Sequence, residues 1–105
     1  MADTYIKKDI VGKADSAAVI DIGSNSTRYA AGRNGKKLVI TTRLGSGLAQ
    51  TGRLDEERME KSISVISALA SNARHSGYIP FAYATSAVRD ASNKADFVNR
   101  LKQKC

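Results

Sequence analysis

The fold is decided by the stretch AAVIDIGSNSTR, which spans residues 17–28. Its first half is a short apolar run typical of a buried strand, and its second half is small and polar. Gly23 lies at the junction and lets the backbone turn sharply, so that successive N–H groups point at an anion with no Cβ in the way. The stretch therefore predicts a buried strand that ends in an anion-binding loop.

The polar side chains around Gly23 suit phosphoryl groups. The hydroxyls of Ser24 and Ser26 can donate hydrogen bonds to phosphate oxygens, and the guanidinium of Arg28 can hold two such oxygens at once. Asp21 cannot bind an anion directly, but a carboxylate at the carboxyl end of a strand, beside phosphate donors, is where a hydrated Mg²⁺ would lie. The loop is therefore predicted to bind phosphate, and Asp21 to bind magnesium.

A second strand end repeats this pattern. Residues 84–93 read ATSAVRDASN, so Thr85 and Ser86 follow a predicted strand and Arg89 comes shortly after. Two strand-end loops of an open sheet can face one crevice, and α/β folds bind ligands there. We expect Arg28 and Arg89 to clamp one phosphate chain, although both loops also have the composition of ordinary turns and helix entries.

Other polar residues carry weaker signals. Arg43 and Arg53 flank a glycine-rich segment and could reach phosphate, but exposed arginines are more often simply solvated. His75 lies near a predicted helix end, where an interaction with carbonyl groups is the favoured role. Because His75 is the only histidine, neither Ser24 nor Ser26 is predicted to be a nucleophile.

Three antiparallel strands are expected in the first half of the chain. The strand that ends at Gly23 is followed by two strands, over residues 27–32 and 37–42, which are joined across the hairpin signal Asn34-Gly35. Residues 44–53 contain three glycines and are expected to form a loop.

Two helices and one strand are expected in the second half. A helix is predicted from the N-cap Asp55 to a stop at Gly77, with Leu54 packing on Met59. A strand over residues 78–84 and a helix over residues 94–104 follow, which gives an α/β fold with a mixed sheet and a helical crossover. The last helix is expected to be capped by Ser92 or Asn93, with an inner face made of Phe97, Val98 and Leu101.

Composition limits the class of protein. The chain has 105 residues and is 42% hydrophobic, which suits a flexible lead over residues 1–16 and one small folded domain over residues 17–105. No run of about 18 apolar residues occurs, so no membrane span is predicted. Cys105 is the only cysteine, which suits a reducing compartment such as the cytoplasm.

The net charge of +7 is concentrated near the predicted loop. Between residues 21 and 54, Asp21 is the one acidic residue, whereas six are basic: Arg28, Arg33, Lys36, Lys37, Arg43 and Arg53. Such a patch attracts polyanions. The four tyrosines and two phenylalanines are not interleaved with the basic residues as a stacking platform for nucleic acid requires, so a phosphate ligand is favoured over nucleic acid.

Residues 19–28 closely resemble the first phosphate motif of the exopolyphosphatase and guanosine pentaphosphate phosphohydrolase (Ppx/GppA) family. Residues 42–54 and 84–93 resemble that family's next two signatures, in the same order. The three motifs together make the resemblance specific to this family, since the Asp-Ile-Gly loop alone is shared with actin, sugar kinases and heat-shock chaperones. The resemblance implies the first half of an actin-like ATPase fold, whose ribonuclease-H-like sheet has three antiparallel strands followed by helix-linked strands.

The same resemblance implies an activity and a set of site residues. The activity would be Mg²⁺-dependent removal, by an attacking water, of the terminal phosphate from inorganic polyphosphate or guanosine pentaphosphate, with guanosine tetraphosphate as a related nucleotide partner. Asp21 would hold the metal or its waters. The residues implied to bind phosphate are Gly23, Ser24, Asn25, Ser26, Arg28, Thr85, Ser86 and Arg89.

The resemblance also shows a departure. The family's catalytic glutamate and its second glycine-rich phosphate loop have no counterpart in residues 1–105, so the chain resembles an N-terminal fragment with no catalytic residue of its own. Such a half-domain would expose a sheet edge and helix faces, so self-association is expected. Two alternatives stay open: a non-catalytic half-domain that binds polyphosphate or nucleotide, and an ATP-dependent kinase or chaperone of the same fold.

Overall fold

The computed structural model describes residues 16–105, apart from the side chains of Ser86 and Ala87. Residues 1–15 of the predicted lead over residues 1–16 therefore lie outside the described residues. A four-stranded sheet contains β1 (Ala17–Ile22), β2 (Ser26–Ala31), β3 (Lys37–Thr41) and β4 (Ile79–Ala84) in the order β3-β2-β1-β4. The first three strands are antiparallel and β4 is parallel to β1, which confirms the predicted mixed sheet.

Two long helices cover one face of this sheet. The helices are α1 (Leu48–Thr51), α2 (Glu56–His75), α3 (Ser86–Arg89) and α4 (Lys94–Lys104). The crossover helix α2 packs on β1 and β2, and α4 packs on α2. Alternate residues of β1 supply the floor of the core: Ala18, Ile20 and Ile22 are buried, as the period of two in a strand requires. No helix within residues 16–105 has the length and apolar character needed to cross a bilayer.

The long helix α2 begins and ends where the sequence predicts. The Asp55 side chain accepts a hydrogen bond from the Arg58 N–H at 3.1 Å and so caps the helix. At the other end, the Tyr78 N–H donates to the Ala73 carbonyl at 2.8 Å, and Gly77 takes the left-handed φ of 87° that such a C-terminal motif needs. The inward stripe of α2 is buried: Met59, Ile63, Ile66, Ala70 and Ala73.

The turn between β2 and β3 forms the predicted hairpin with an unexpected geometry. The left-handed residue is Gly32, at φ 65°, and not Asn34 or Gly35. Gly35 is needed for a different reason, because a Cβ there would lie 1.9 Å from the carbonyl oxygen of Ala31. The hairpin signal therefore located the turn correctly, whereas the close approach of two backbone segments decided its shape.

The glycine-rich segment is not entirely a loop, so the prediction for residues 44–53 is wrong in part. Its centre forms the single helical turn α1, flanked by Gly47 at φ 82° and Gly52 at φ 71°. The two glycines enter and leave the turn in the left-handed region, which residues with a Cβ rarely adopt. Leu44, ahead of the turn, is fully buried and anchors the segment to the core.

The bounds of the last helix are confirmed, but the prediction of its inner face is wrong in part. Phe97 is buried, whereas Val98 is 38% exposed, because residues one apart on a helix point about 100° from each other and only one can face α2 directly. Leu101, one turn after Phe97, is half-buried against the same core. Asn93 precedes the helix, but its side chain makes no capping hydrogen bond to α4.

Asn93 instead joins two distant parts of the chain. Its Oδ1 accepts from the Leu54 N–H at 2.8 Å, and its Nδ2 donates to the Leu54 carbonyl at 3.1 Å. Both residues are buried, so the amide satisfies two backbone groups that water cannot reach. This pair fixes the start of α4 beside the start of α2.

On the outer side of the same junction, Arg100 of α4 binds carboxylates of both helices. It donates to Glu56 and Glu60 of α2 and to Asp96 of its own helix. The hydrogen bond from Arg100 is the main reason that the pKa of Glu56 is lowered. The network therefore links the exposed faces of the two helices, while Asn93 links their buried ends.

Replacing Asn93 with alanine should lower the free energy of unfolding by about 2–3 kcal/mol, because two buried backbone groups of Leu54 lose their partner. Asn99→Ala, at an exposed position of α4, is the matched control and should change the value by less than about 0.5 kcal/mol. Urea denaturation followed by circular dichroism measures both variants. Equal midpoints for the two would contradict the role assigned to the amide pair.

Candidate phosphate-binding site

The connection between β1 and β2 is a tight turn at the carboxyl end of β1. The Gly23 N–H donates to the Ser26 carbonyl at 3.0 Å, which places Ser24 and Asn25 at the tip. A Cβ on Gly23 would lie 2.8 Å from the Ser26 carbonyl oxygen. The turn therefore requires glycine at this position, as the sequence predicts, although the reason is the close approach of Ser26 and not a positive φ.

The segment after β3 holds the tip of this turn. The Asn25 carbonyl accepts from the N–H groups of Thr42, at 3.0 Å, and Arg43, at 2.9 Å. The Ser24 carbonyl accepts from the Gly45 N–H at 2.9 Å. Both carbonyl groups at the tip are therefore occupied, whereas Ser24 and Asn25 are exposed and their side chains are available to a ligand.

The segment after β4 meets the turn from the other side. The Thr85 N–H donates to the Ile22 carbonyl at 3.2 Å, and the Thr85 hydroxyl lies 3.4 Å from the same oxygen. The side chain of Ser86 lies outside the described residues, so the phosphate contact predicted for it stays a prediction. All three motif segments identified in the sequence thus converge at the carboxyl end of β1.

Asp21 and Arg28 lie side by side on the face of the sheet opposite α2. Asp21 is paired directly with Arg28 of β2 and with Tyr83 of β4, so the three side chains form one row. They border a shallow hollow of about 310 Å³ whose floor includes Val19 and Val39. Burial, and secondly the Asp21 carboxylate, raise the pKa of the Tyr83 hydroxyl above its ordinary value.

Asp21 fits the magnesium site predicted for it. Its Oδ1 atom is buried and has no hydrogen-bond partner, although a buried carboxylate oxygen normally has one. Within residues 16–105, no group of three or more acidic, histidine or cysteine side chains could hold a metal by itself. A single carboxylate still suits Mg²⁺, which keeps several waters and takes further oxygen ligands from substrate phosphates.

Arg28 and Arg89 lie beside different hollows. Arg89 is exposed on α3, with its Nε 4.0 Å from Asp90 Oδ1. It borders a larger hollow, of about 550 Å³, along the outer edge of β4, together with Phe97 and Leu101. The expected clamp of one phosphate chain by both arginines therefore stays a prediction.

The structure separates Arg43 from Arg53, which the sequence could not distinguish. Arg43 borders a hollow of about 270 Å³ beside the turn, with Ser24, Asn25, Gly45 and Ser46. Arg53 borders a different hollow, near the acidic side chains of Asp55 and Glu56. No sequence signal marks Arg43 as the nearer of the two, because its position depends on hydrogen bonds to residues 18 positions away along the chain.

The weakest of the candidates, His75, has the ordinary role expected from its position. Its Nδ1 lies 2.9 Å from the Ser71 carbonyl in the last turn of α2. The ring therefore binds a carbonyl group near the helix end.

Known proteins match both the sequence and the fold. The sequence profile of the Ppx/GppA phosphatase family matches residues 36–105. Exopolyphosphatase 1 of Mycobacterium tuberculosis is 34% identical in an alignment 94 residues long, and the match covers 81% of this chain and 27% of that protein. The chain belongs to the Ppx/GppA phosphatase family, which confirms the resemblance seen in its motifs and favours a phosphatase over a kinase or chaperone.

Solved structures show the same relationship. The crystal structure of the Aquifex aeolicus member of the Ppx/GppA family has a TM-score of 0.70 at 36% identity, covering 83% of this chain and 31% of its own. An exopolyphosphatase from Cytophaga hutchinsonii has a TM-score of 0.74 at 25% identity, covering 84% and 31%. The actin-like α/β fold class is therefore confirmed, and the chain spans less than a third of the length of these relatives.

Gly23→Ala should open the turn, because the added Cβ would lie 2.8 Å from the Ser26 carbonyl oxygen. We expect the backbone amide signals of residues 24–26 to move or broaden in the proton–nitrogen correlation spectrum. Gly47→Ala is the control: it places a Cβ in open space within the neighbouring segment, at a positive φ. It should lower stability by about 1–2 kcal/mol and leave those signals in place. Unchanged signals in Gly23→Ala would contradict the role of the turn.

Proposed function

We propose that this chain forms the phosphate-binding half of a phosphohydrolase site, which holds the terminal phosphoryl groups of inorganic polyphosphate or guanosine pentaphosphate together with Mg²⁺. One observation carries the proposal: three separate segments are hydrogen-bonded around the carboxyl end of β1, beside the unpartnered oxygen of Asp21. Backbone groups arranged in advance need no reorganisation when charge arrives, which favours anion binding.

The proposal gives each side chain a role that its position allows. The N–H groups of Ser24 and Asn25 and the side chains of residues 24–26 bind phosphate oxygens at the turn that Gly23 closes, and the exposed Arg28 guanidinium offsets their charge from the adjacent strand. Thr85, Ser86 and Arg89 approach from the segment after β4. Guanosine tetraphosphate carries the same phosphoryl chemistry and belongs to the same ligand class.

Asp21 would hold magnesium or its waters. When bound, the ion polarises a phosphoryl oxygen and neutralises part of the charge that develops during transfer. Asp21 itself would supply the negative charge that holds the cation beside the phosphate-binding turn. Its orphaned oxygen supports this role, because a buried carboxylate oxygen without a donor favours a cation nearby.

A second candidate is binding without turnover, in a half-domain that captures polyphosphate or nucleotide. Among the described residues, the hollows lined by Ser24 and by Asp21 contain no other carboxylate. General-base activation of a water needs such a group within hydrogen-bond reach. Neither candidate predicts turnover by the 105-residue chain alone. A phosphate-release assay on this chain fused to the remainder of the Aquifex aeolicus family member separates the two, since a phosphohydrolase half should release phosphate there and a binding half-domain should not.

Asp21→Asn should remove the magnesium dependence of ligand binding. With inorganic tripolyphosphate as the probe in isothermal titration calorimetry, we expect Mg²⁺ to tighten binding to the wild-type chain by about tenfold, equivalent to about 1.4 kcal/mol. Asp21→Asn should lose that gain and bind tripolyphosphate at least as well without Mg²⁺, because a negative charge has gone. Glu57→Gln, an equal charge change on an exposed part of α2, is the control. A full magnesium effect in Asp21→Asn would refute the proposed metal site.

Self-association and a cytoplasmic location remain part of the proposal, the latter by resemblance to the family. Val39 is 66% exposed and Ile79 is 53% exposed, and the strand β4 lies at an edge of the described sheet with no charged residue of its own. Unpaired apolar edges of this kind favour association. We expect the molar mass from light scattering to rise with protein concentration, and Ile79→Lys to reduce the rise. A molar mass that stays at the monomer value at all concentrations would contradict self-association.

A further inference from the structure

The hollow beside the tip of the β1–β2 turn is lined only by polar residues and glycine. Ser24 and Asn25 form one wall, and Arg43, Gly45 and Ser46 form the other, around a volume of about 270 Å³. No carboxylate lines it, so a hydroxyl pair, an amide and one guanidinium face the same space. Asp21 and Arg28 border a separate hollow, so the turn offers donors on two sides.

Arg43 is held in a conformation that costs free energy. Its φ is 53°, and it is the one residue other than glycine with a positive φ among residues 16–105. The Arg43 N–H donates to the Asn25 carbonyl at 2.9 Å, and its carbonyl accepts from the Ser46 N–H at 3.0 Å. Glycine would adopt this backbone conformation more readily, so the presence of arginine here points to a role for its side chain.

The guanidinium of Arg43 is also unpaired within the described part of the chain. Arg100, by contrast, is fully engaged with three carboxylates. Arg53, in the same segment as Arg43, lies near Asp55 and Glu56. Arg43 thus combines a strained backbone, an exposed cation and a polar hollow next to the phosphate-binding turn.

We propose that Arg43, with Ser24, Asn25 and Ser46, forms a second anion subsite that binds the next phosphoryl group of a condensed phosphate chain. The inference rests on the proposed function of the turn and deepens it. One phosphoryl group is bound by the N–H groups of Ser24 and Asn25 and by Arg28, on the Asp21 side of the turn. The next phosphoryl group of the same ligand reaches Arg43 on the other side of the tip. The subsite therefore distinguishes condensed phosphates from a single phosphate ion.

Calorimetric titration of the 105-residue chain tests this with two probes, orthophosphate and inorganic tripolyphosphate. Arg43→Ala should weaken tripolyphosphate binding by about tenfold or more, the usual loss when a charge-assisted hydrogen bond is removed. Orthophosphate binding should change by less than about twofold, since a single phosphate needs only the turn. Arg53→Ala removes an equal charge from the same segment and should change both affinities by less than about twofold.

Arg43→Gly provides a readout that a merely structural role would not produce. Glycine relieves the backbone strain, so the thermal midpoint should stay the same or rise while tripolyphosphate binding falls as it does in Arg43→Ala. Arg43→Lys keeps the charge and should recover part of the affinity. A fall in the midpoint of Arg43→Gly without a loss of tripolyphosphate binding would overturn the proposal.

The outcomes separate this inference from the proposed function. If the wild-type chain binds both probes and Arg43→Ala behaves like Arg53→Ala, the subsite is refuted while the phosphate-binding turn stands. If the wild-type chain binds neither probe, the proposed function fails and the subsite with it. Guanosine pentaphosphate, as a third probe, should lose affinity in Arg43→Ala to the same extent as tripolyphosphate. A loss confined to the nucleotide would overturn recognition of the phosphoryl chain.

Discussion

Three backbone carbonyl groups at the carboxyl end of β1, those of Ile22, Ser24 and Asn25, hold the candidate site together. Each accepts hydrogen bonds from a segment that is distant in sequence, either the one after β3 or the one after β4. Each backbone carbonyl group is a strong acceptor that needs a donor when a chain folds. By satisfying this requirement, the fold brings three motifs to one place, although they lie up to 63 residues apart in the chain.

The end of β1 also contains much of the unfilled hydrogen-bonding capacity of the described chain. Asp21 Oδ1 and the hydroxyls of Thr27 and Thr42 are buried without a partner, and all three residues lie in or next to the segments that build the turn. The strained Arg43 lies there as well. Elsewhere among residues 16–105, the Ser62 hydroxyl of α2 is also buried without a partner, whereas the Asn93 amide satisfies both backbone groups of Leu54. Orphaned groups and strain gathered in one region are what a binding site is expected to show before its ligand arrives.

Much of the fold could be predicted from the sequence, because helix caps, buried stripes and helix stops depend on residues that are close together along the chain. The N-cap Asp55, the inward stripe of α2 and its stop at Gly77 follow from spacing alone, and the structure confirms each of them. Where the sequence prediction was wrong, a distant contact decided the outcome. Val98 is partly exposed because α4 buries Phe97 against the core instead. The helical turn in the glycine-rich segment is the exception, because hydrogen bonds within residues 45–52 form it.

The same distinction between local patterns and distant contacts applies to the candidate site. Residues adjacent along the chain are enough to predict an apolar strand that ends in a glycine turn with hydroxyls, and a carboxylate before that turn. The order of three such motifs along the chain is enough to show a resemblance to one phosphatase family. The tertiary structure decided which arginine lies beside the turn. Arg43 and Arg53 have similar local surroundings, and only the hydrogen bonds from residues 42–45 to the β1–β2 tip bring Arg43 to the polar hollow and leave Arg53 beside acidic groups.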